Sequence, residues 1–462
     1  MIAAKLQMIH HKMRDFKYLT TKGLLAIFFS LSVLGLPKAF AQEIKKITLQ
    51  EAVDLTLLNN LQIKQAQFQT QIADETLKQS QFALYPSLNG SSSANRQFGL
   101  FFDNQTGSLN NTSVDQVNGR LTSSVALFGG GTLINQIRQN KSSLMSDKSN
   151  LEKIKNDLSL SVVTTYLQVI NNQDLVKASL GQLSLSQQQL DITKKKFDVG
   201  NNTQADLSQT EAQVANNELS VTNSQNALDL SILNLKQLME MDVEQKIEIV
   251  IPAIEDPTKI ANNYSGFDVY SQAVLNYPDI KLASANTEAF KYGVKIAKGG
   301  LYPSLSFSSG LSTGYSSSSS FSFSKQITDS NFGQFLGFSL SVPVFNNYRS
   351  RAQYNISKFR YENAKATEQL AKNNLNKVIS QAILDLKSAI KSYAATKSAF
   401  NSSKIAFDFI KQRYDVGLVN VIDLNTAQTN YNKAEFDFIQ AKYNAIFRSK
   451  VIDFYLGKPL TL

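Results

Sequence analysis

The sequence predicts a mainly α-helical chain with a membrane β-barrel portion, built as a duplicated helix–strand–strand–helical-hairpin unit. Three observations carry that expectation: short motifs that recur at one fixed offset, apolar residues that repeat every seven positions over long stretches, and Ser-rich stretches in which apolar and small polar residues alternate.

The repeat sets the framework. Tyr85-Pro86-Ser87-Leu88 recurs as Tyr302-Pro303-Ser304-Leu305, and Val125-x-x-Phe128 recurs as Val342-x-x-Phe345. Phe197-Asp198-Val199-Gly200 recurs as Tyr414-Asp415-Val416-Gly417, and Asp206-Leu207 as Asp423-Leu424, every pair 217 residues apart. Four matches in one register mark a duplication, with about 44–240 answering to 261–457. The expected organisation is a signal peptide over 1–41, a first repeat over 42–240, a linker over 241–266 and a second repeat over 267–462.

The N-terminal segment carries Lys5, Lys12, Arg14, Lys17 and Lys22 against Asp15, then an apolar run from Gly23 to Leu36, then Ala39-Phe40-Ala41. Those three regions are the marks of a cleaved export signal, with an uncleaved N-terminal anchor as the other reading. Cleavage at Gln42 removes six basic residues and one acidic residue, so the net charge falls from +10 to +5. The remaining basic residues are scattered through helical patterns, so no nucleic-acid partner is expected.

Thr48 to Leu84 reads as an amphipathic helix that ends before Pro86. Residues 86–128 lose the helical period, and their alternation predicts two strands, about 86–97 and 119–128. The second copy repeats them at about 303–314 and 335–345, clearest where Phe338, Leu340, Val342 and Val344 flank Ser339 and Ser341. After Phe128 the helical period returns. Val162, Val169, Val176, Leu183, Leu190 and Phe197 fall at seven-residue spacing, matched by Ile379, Leu386, Tyr393, Phe400, Phe407 and Tyr414. Leu207, Val214, Val221, Leu228 and Leu235 continue the spacing beyond Gly200, so each copy holds a coiled-coil hairpin turning at Gly200 or Gly417. Some 69 helical residues make a rod of about 100 Å, which no small globular core can cover.

Strands of about ten residues with one apolar face match the ~9–11 residues that cross a bilayer at a tilt. A soluble sheet with one wet face has the same periodicity. In lipid, four strands per chain leave unpaired edges, so a membrane location requires several chains to close a barrel of about eight strands or more.

Composition removes most reaction chemistry. The chain has no Cys, and its two histidines are His10 and His11. Beyond the signal there is no imidazole base, no thiolate and no nitrogen or sulfur ligand set for zinc or copper, so no enzyme activity, cofactor or metal site is expected.

Ile47-Thr48-Leu49-Gln50-Glu51-Ala52-Val53, the two Tyr-Pro-Ser-Leu motifs, and Arg413-Tyr414-x-x-Gly417 with Asp423-Leu424 and Gln428 together resemble the TolC family of bacterial outer-membrane efflux proteins. The resemblance covers about 44–457. It implies a homotrimer whose twelve strands form one outer-membrane barrel, continuous with a periplasmic α-helical barrel and surrounded by outer-membrane lipid. It also implies a passive exit duct for efflux or type I secretion, served by a periplasmic adaptor (membrane fusion protein) and an inner-membrane pump.

The hairpin turns carry the expected site. Thr203-x-x-Asp206 and Asn420-x-x-Asp423 read as helix-capping pairs, which by itself accounts for both aspartates. The resemblance adds a periplasmic entry pore at Asp423, with Thr426 at a second position where the family places an acid. It also implies an inter-hairpin latch between Asp206 and Tyr414, with Val419 standing where the family has an arginine. Val199, Gly200, Val416, Gly417 and Leu418 are the expected adaptor-contact tips, and a plain tight turn explains the same residues. Two other readings stay open on sequence alone: a trimeric coiled-coil structural or adhesive stalk without a conduit, and a carboxylate-dependent envelope enzyme.

Overall fold

The computed structural model describes residues 45–103, 107–252, 256–259 and 264–458; the expected signal peptide lies outside them. The chain divides into two units. In the smaller, strands β1 (Lys45–Ile47) and β4 (Ile247–Ile249) have most of their residues, and the Lys45 N–H donates to the Lys246 carbonyl at 3.2 Å.

Among the described residues, the larger unit holds eight α-helices of eleven residues or more. In the first copy these are α1 (Leu49–Asn59), α2 (Leu61–Phe82), α3 (Thr132–Asp198) and α4 (Gln204–Leu238). In the second they are α5 (Gly266–Asn276), α6 (Pro278–Gly299), α7 (Arg349–Asp415) and α8 (Val421–Tyr455). Every second-copy helix begins and ends 217 residues after its counterpart, so the duplication reaches the level of single helical residues. The starts are set locally. Thr48 and Glu51 form a capping box on α1, Asn60 caps α2 through the Gln62 N–H, and Pro278 opens α6 at a position where its missing N–H costs nothing.

Four antiparallel strands form one sheet in the order β2 (Ser87–Asp103), β3 (Ser108–Gly129), β5 (Ser304–Ser316), β6 (Gly333–Ser341). Within copies the register is conserved: Ser87 faces Ser124, and Ser304 faces Ser341, both shifted by 217. β2 and β3 run past the expected strand ends because 98–103 continues β2 and pairs with 108–113 of β3, Phe98 opposite Ser113 and Phe102 opposite Leu109. β6 stops at Ser341 rather than reaching 345, because Pro343 has no N–H for the ladder.

Pairing places Leu88, Phe98, Leu100, Val117, Leu121, Phe307, Leu311, Leu336, Phe338 and Leu340 on one face. The opposite face carries Ser91, Ser93, Asn95, Asn118, Thr122, Ser306, Ser308, Ser312, Gly337 and Ser339. The apolar face is open: Leu88, Phe98, Leu336 and Phe338 are 69–79% exposed. Its one charged pair, Arg96–Asp115 with Nη2–Oδ2 at 2.6 Å, sits where β5 ends beside Gln116 and the β2–β3 hairpin continues alone.

The chain returns to helix through left-handed backbone. Gly130 and Gly131 have φ of +60° and +78°, and Asn347 and Tyr348 hold the same conformation in the second copy. Only Gly130 is also crowded, since a Cβ there would lie 2.4 Å from the Gly299 carbonyl oxygen.

The best-packed core lies midway along the helices. Val162, Val163, Tyr166, Val169 and Ile170 have no exposed surface, and the Tyr166 hydroxyl sits between the Ile47 and Val250 carbonyls at 3.0 and 2.6 Å. Burial pushes the Tyr166 pKa up to about 12. In the second copy Ile379, Ile383 and Leu386 of α7 pack with Val269 and Ala273 of α5 and Ile452 of α8.

Candidate functional site

Both hairpins turn in the same way. Gly200 and Gly417 have φ of +78° and +79°, and each pair of residues after the helix returns two backbone bonds to its last turn. The Gly200 N–H donates to the Phe197 carbonyl (2.9 Å) and the Asn201 N–H to that of Lys196 (2.8 Å); Gly417 and Leu418 do the same to Tyr414 and Arg413. This is the Schellman arrangement, which satisfies orphan carbonyls at the helix end. A Cβ at either glycine would meet open space, so glycine is required by the backbone alone. Val199, Val416 and Leu418 are 67–71% exposed, so all five tip positions face outward.

The helices that leave the tips are capped differently. Thr203 accepts from the Asp206 N–H at 3.1 Å, while the Asp206 carboxylate accepts from the Thr203 N–H and hydroxyl at 2.9 and 2.8 Å. In the second copy Asn420 accepts from the Asp423 N–H at 2.8 Å, and no bond from Asp423 closes a capping box. The Asp423 carboxylate is therefore exposed rather than folded back on its cap. Thr426, one turn on, is also exposed, and its hydroxyl donates to the Ile422 carbonyl at 2.8 Å.

Within the chain the Asp206 carboxylate is held by Thr203, and no hydrogen bond joins it to Tyr414 among the described residues. Tyr414, 5% exposed, places its hydroxyl 3.4 Å from both Thr193 Oγ1 and Asn202 Nδ2. Lys196 Nζ lies 4.5 Å from the centre of the Tyr414 ring. Tyr414 thus does link the two hairpins, with Asn202, Thr193 and Lys196 as partners.

Above the tips runs a seam that apolar periodicity does not reveal. Ser179, Gln182, Ser186, Gln189 and Thr193 of α3 are buried at alternating three- and four-residue spacing, while Leu183 and Leu190 are only half-buried. This polar stripe faces the second hairpin: Gln182 Nε2 donates to Glu435 at 2.9 Å, and the Tyr443 hydroxyl donates to Asp174 at 2.6 Å. On α8, Asn425 Oδ1 and Gln428 Nε2 are buried without a partner among the described residues. A groove of about 570 Å³ opens along the seam, lined by Asp174, Gln182, Leu185, Tyr431 and Glu435. Among the described residues, no group of His, Cys, Asp or Glu is arranged to hold a metal ion, and no helix is long and apolar enough to cross a membrane.

The family model described as outer membrane efflux protein matches residues 52–239 and 269–458. The outer membrane efflux protein BepC of Brucella suis is 23% identical over 180 residues, 39% of this chain and 38% of that protein. The outer membrane protein TolC of Salmonella enteritidis is 25% identical over 168 residues, 36% of this chain and 34% of that protein. The chain thus aligns with little more than a third of the length of either. The crystal structure of the CmeC outer membrane channel of Campylobacter jejuni shares the fold, with a TM-score of 0.76, 22% identity, and coverage of 90% of this chain and 87% of that one.

Proposed function

The chain belongs to the outer membrane efflux protein family, and from that premise we propose that it is the outer-membrane exit duct of a tripartite efflux or type I secretion system. Three copies contribute twelve strands to one barrel, and the hairpins extend from it into the periplasm as an α-helical barrel. A periplasmic adaptor, joined to an inner-membrane pump, engages the tips Val199, Gly200, Val416, Gly417 and Leu418. In this reading residues 1–41 direct export, and 42–240 and 267–462 are the two repeats joined by 241–266.

The observation that carries the reading is the sheet. Its apolar face is open on all four strands and its other face is mostly Ser, Asn, Thr and Gly, with Phe101, Val114 and Phe335 the large apolar exceptions, close to the division between lipid and water that a membrane barrel needs. The outer edges of β2 and β6 have no strand partner among the described residues, and open edges are excluded from lipid, so closure by further copies follows. A solid stalk has no use for a hydrophilic inner face.

At the periplasmic end Asp423 faces solvent and, repeated around a threefold axis, forms an acidic ring that favours cations. Opening parts the hairpins along the polar seam beside Tyr414. The test is conductance of purified protein in planar bilayers. Asp423→Asn is expected to lower the cation-to-anion permeability ratio severalfold while leaving assembly intact. Absence of any channel overturns the duct, and unchanged selectivity overturns the Asp423 ring.

A further inference from the structure

In the part of the sheet formed by 87–95, 116–129, 304–316 and 333–341, Arg120 is the only charged residue. Its register puts it on the polar face, between Ser91 of β2 and Ser312 of β5. Arg120 is exposed, and among the described residues it has no hydrogen bond or ion pair. The other arginine of the sheet, Arg96, is matched by Asp115 on the opposite face.

Beside Arg120 the sheet surface is hollow. Gly310 and Gly314 flank Ser312 along β5, and each lies under a side chain from a neighbouring strand. A Cβ at Gly310 would stand 2.5 Å from Cε1 of Phe335, and one at Gly314 would stand 2.7 Å from Oδ1 of Asn118. The glycines thus let the Phe335 ring lean in from β6 and the Asn118 amide from β3, with the small Ser312 as the floor between them. A cavity of about 390 Å³ opens here, lined by Gln116, Asn118, Arg120, Ser312, Ser316 and Asn331. Asn331 is fixed at its edge by donating from Nδ2 to the Gly314 carbonyl at 2.7 Å. Phe335, on the same face, is 43% exposed.

We infer that this surface binds organic anions in which a carboxylate or sulfonate is carried on a flat aromatic body. The acid group takes the Arg120 guanidinium, whose parallel N–H donors match two oxygens at once. Ser91 and Ser312, directly opposite Arg120 on either side, add hydroxyl donors. The aromatic body stacks on the Phe335 ring. Same-face positions lie about 7 Å apart along a strand and neighbouring strands about 4.8 Å apart, so a bicyclic ring covers the step from Arg120 to Phe335. An inorganic anion reaches only the guanidinium, and a cation is repelled by it. All of these residues belong to one chain, so binding itself does not require a closed barrel. In the proposed duct the site stands on the lumen wall, once per copy, and makes aromatic acids a favoured class of exported compound; that last step rests on the duct reading.

The probe is naphthalenesulfonate, measured by equilibrium dialysis against the purified full chain. Saturable binding is expected, weakened at least tenfold by Arg120→Gln and largely kept by Arg120→Lys. Phe335→Ser is expected to weaken it severalfold through loss of the stacked ring. Neutral naphthalenemethanol and inorganic sulfate should each bind at least tenfold more weakly than naphthalenesulfonate. Arg120 is exposed and unbonded, so its replacement is expected to leave the circular dichroism spectrum unchanged. Absence of saturable binding, equal affinity in Arg120→Gln, or equal affinity for the neutral alcohol overturns the inference. Planar-bilayer conductance separates the two claims: a channel whose protein binds the probe independently of Arg120 sinks the site alone, and Arg120-dependent binding without a channel sinks the duct alone.

Discussion

Asp206 and Asp423 stand at equivalent positions, three residues into their helices, and do different things. Thr203 has a hydroxyl and a backbone N–H that both reach the Asp206 carboxylate; Asn420 offers its own oxygen to the helix and leaves Asp423 out. Capping therefore accounts for Asp206 and not for the carboxylate of Asp423, a distinction the shared spacing in the sequence could not make. Near the tips Tyr414 joins the two hairpins through Thr193 and Asn202. Its hydroxyl contacts are long and neutral, worth about 0.5–1 kcal/mol together. Tyr414→Phe keeps the ring under Lys196 and removes only those bonds, so closed-state conductance is expected to rise a fewfold in single-channel records; no change would free Tyr414 of a latching role. Higher up, the Tyr443 hydroxyl donates to Asp174, and burial first, then that carboxylate, raises its pKa above the ordinary value of 10.0. A raised pKa means the folded state holds the proton more tightly, so the contribution is complete below about pH 10 and is lost as pH climbs above it. The difference in melting temperature between the parent and Tyr443→Phe is expected to shrink between about pH 9 and 11; a constant difference would show that the bond contributes nothing.

The two hairpins have the same length to the residue and different glue. In the second, Tyr393, Phe438, Phe400, Tyr431 and Phe407 stack in a continuous ladder with ring centres 5.3–5.8 Å apart. The first copy has Val176, Val221, Leu183, Val214 and Leu190 at those places. Each ring pair adds about 0.5–1.5 kcal/mol beyond area burial, so α7 and α8 are held together more firmly than either is held to α3 across the polar seam. On α8, Asn425 and Gln428 also bury amide atoms that have no partner among the described residues, each a cost of about 1–3 kcal/mol. In the proposed duct the hairpins are therefore expected to separate along the polar seam first. Phe438→Val removes two stacks and a large volume, about 2–4 kcal/mol. Hydrogen exchange should quicken across Val421–Tyr455 far more than across Gln204–Leu238, and equal quickening in both would refute a ladder-specific effect. Seven-residue spacing made both hairpins legible in the sequence. The seam was not legible, because Ser, Gln and Thr at the same spacing carry no apolar signal and read as a solvated face. The β2–β3 extension was missed for a related reason: Phe101 and Gly99 interrupt the alternation of Phe98, Leu100 and Phe102, which only the pairing register restores.

At the scale of the whole assembly, the side of the sheet on which a residue stands decides what its substitution does. Phe338 and Ser339 are neighbours on β6, yet the pleat sends them to opposite faces, Phe338 against Phe307 at 5.1 Å between ring centres and Ser339 opposite Ser306. On the proposed outer face an arginine must enter hydrocarbon, at about 2–4 kcal/mol near the midplane for each copy, a cost that threefold symmetry triples. On the inner face the same arginine stays in water and adds three positive charges to the lumen. Phe338→Arg is thus expected to cut the fraction of folded, SDS-resistant oligomer in outer-membrane extracts by more than tenfold. Ser339→Arg should assemble normally and shift reversal potentials toward anions in planar bilayers. If the two variants assembled equally well, the sheet would have water on both sides, and the barrel would have to be abandoned even with the helical architecture intact. If Ser339→Arg alone failed to assemble, the faces would be reversed, with the apolar side chains filling a closed interior instead of meeting lipid.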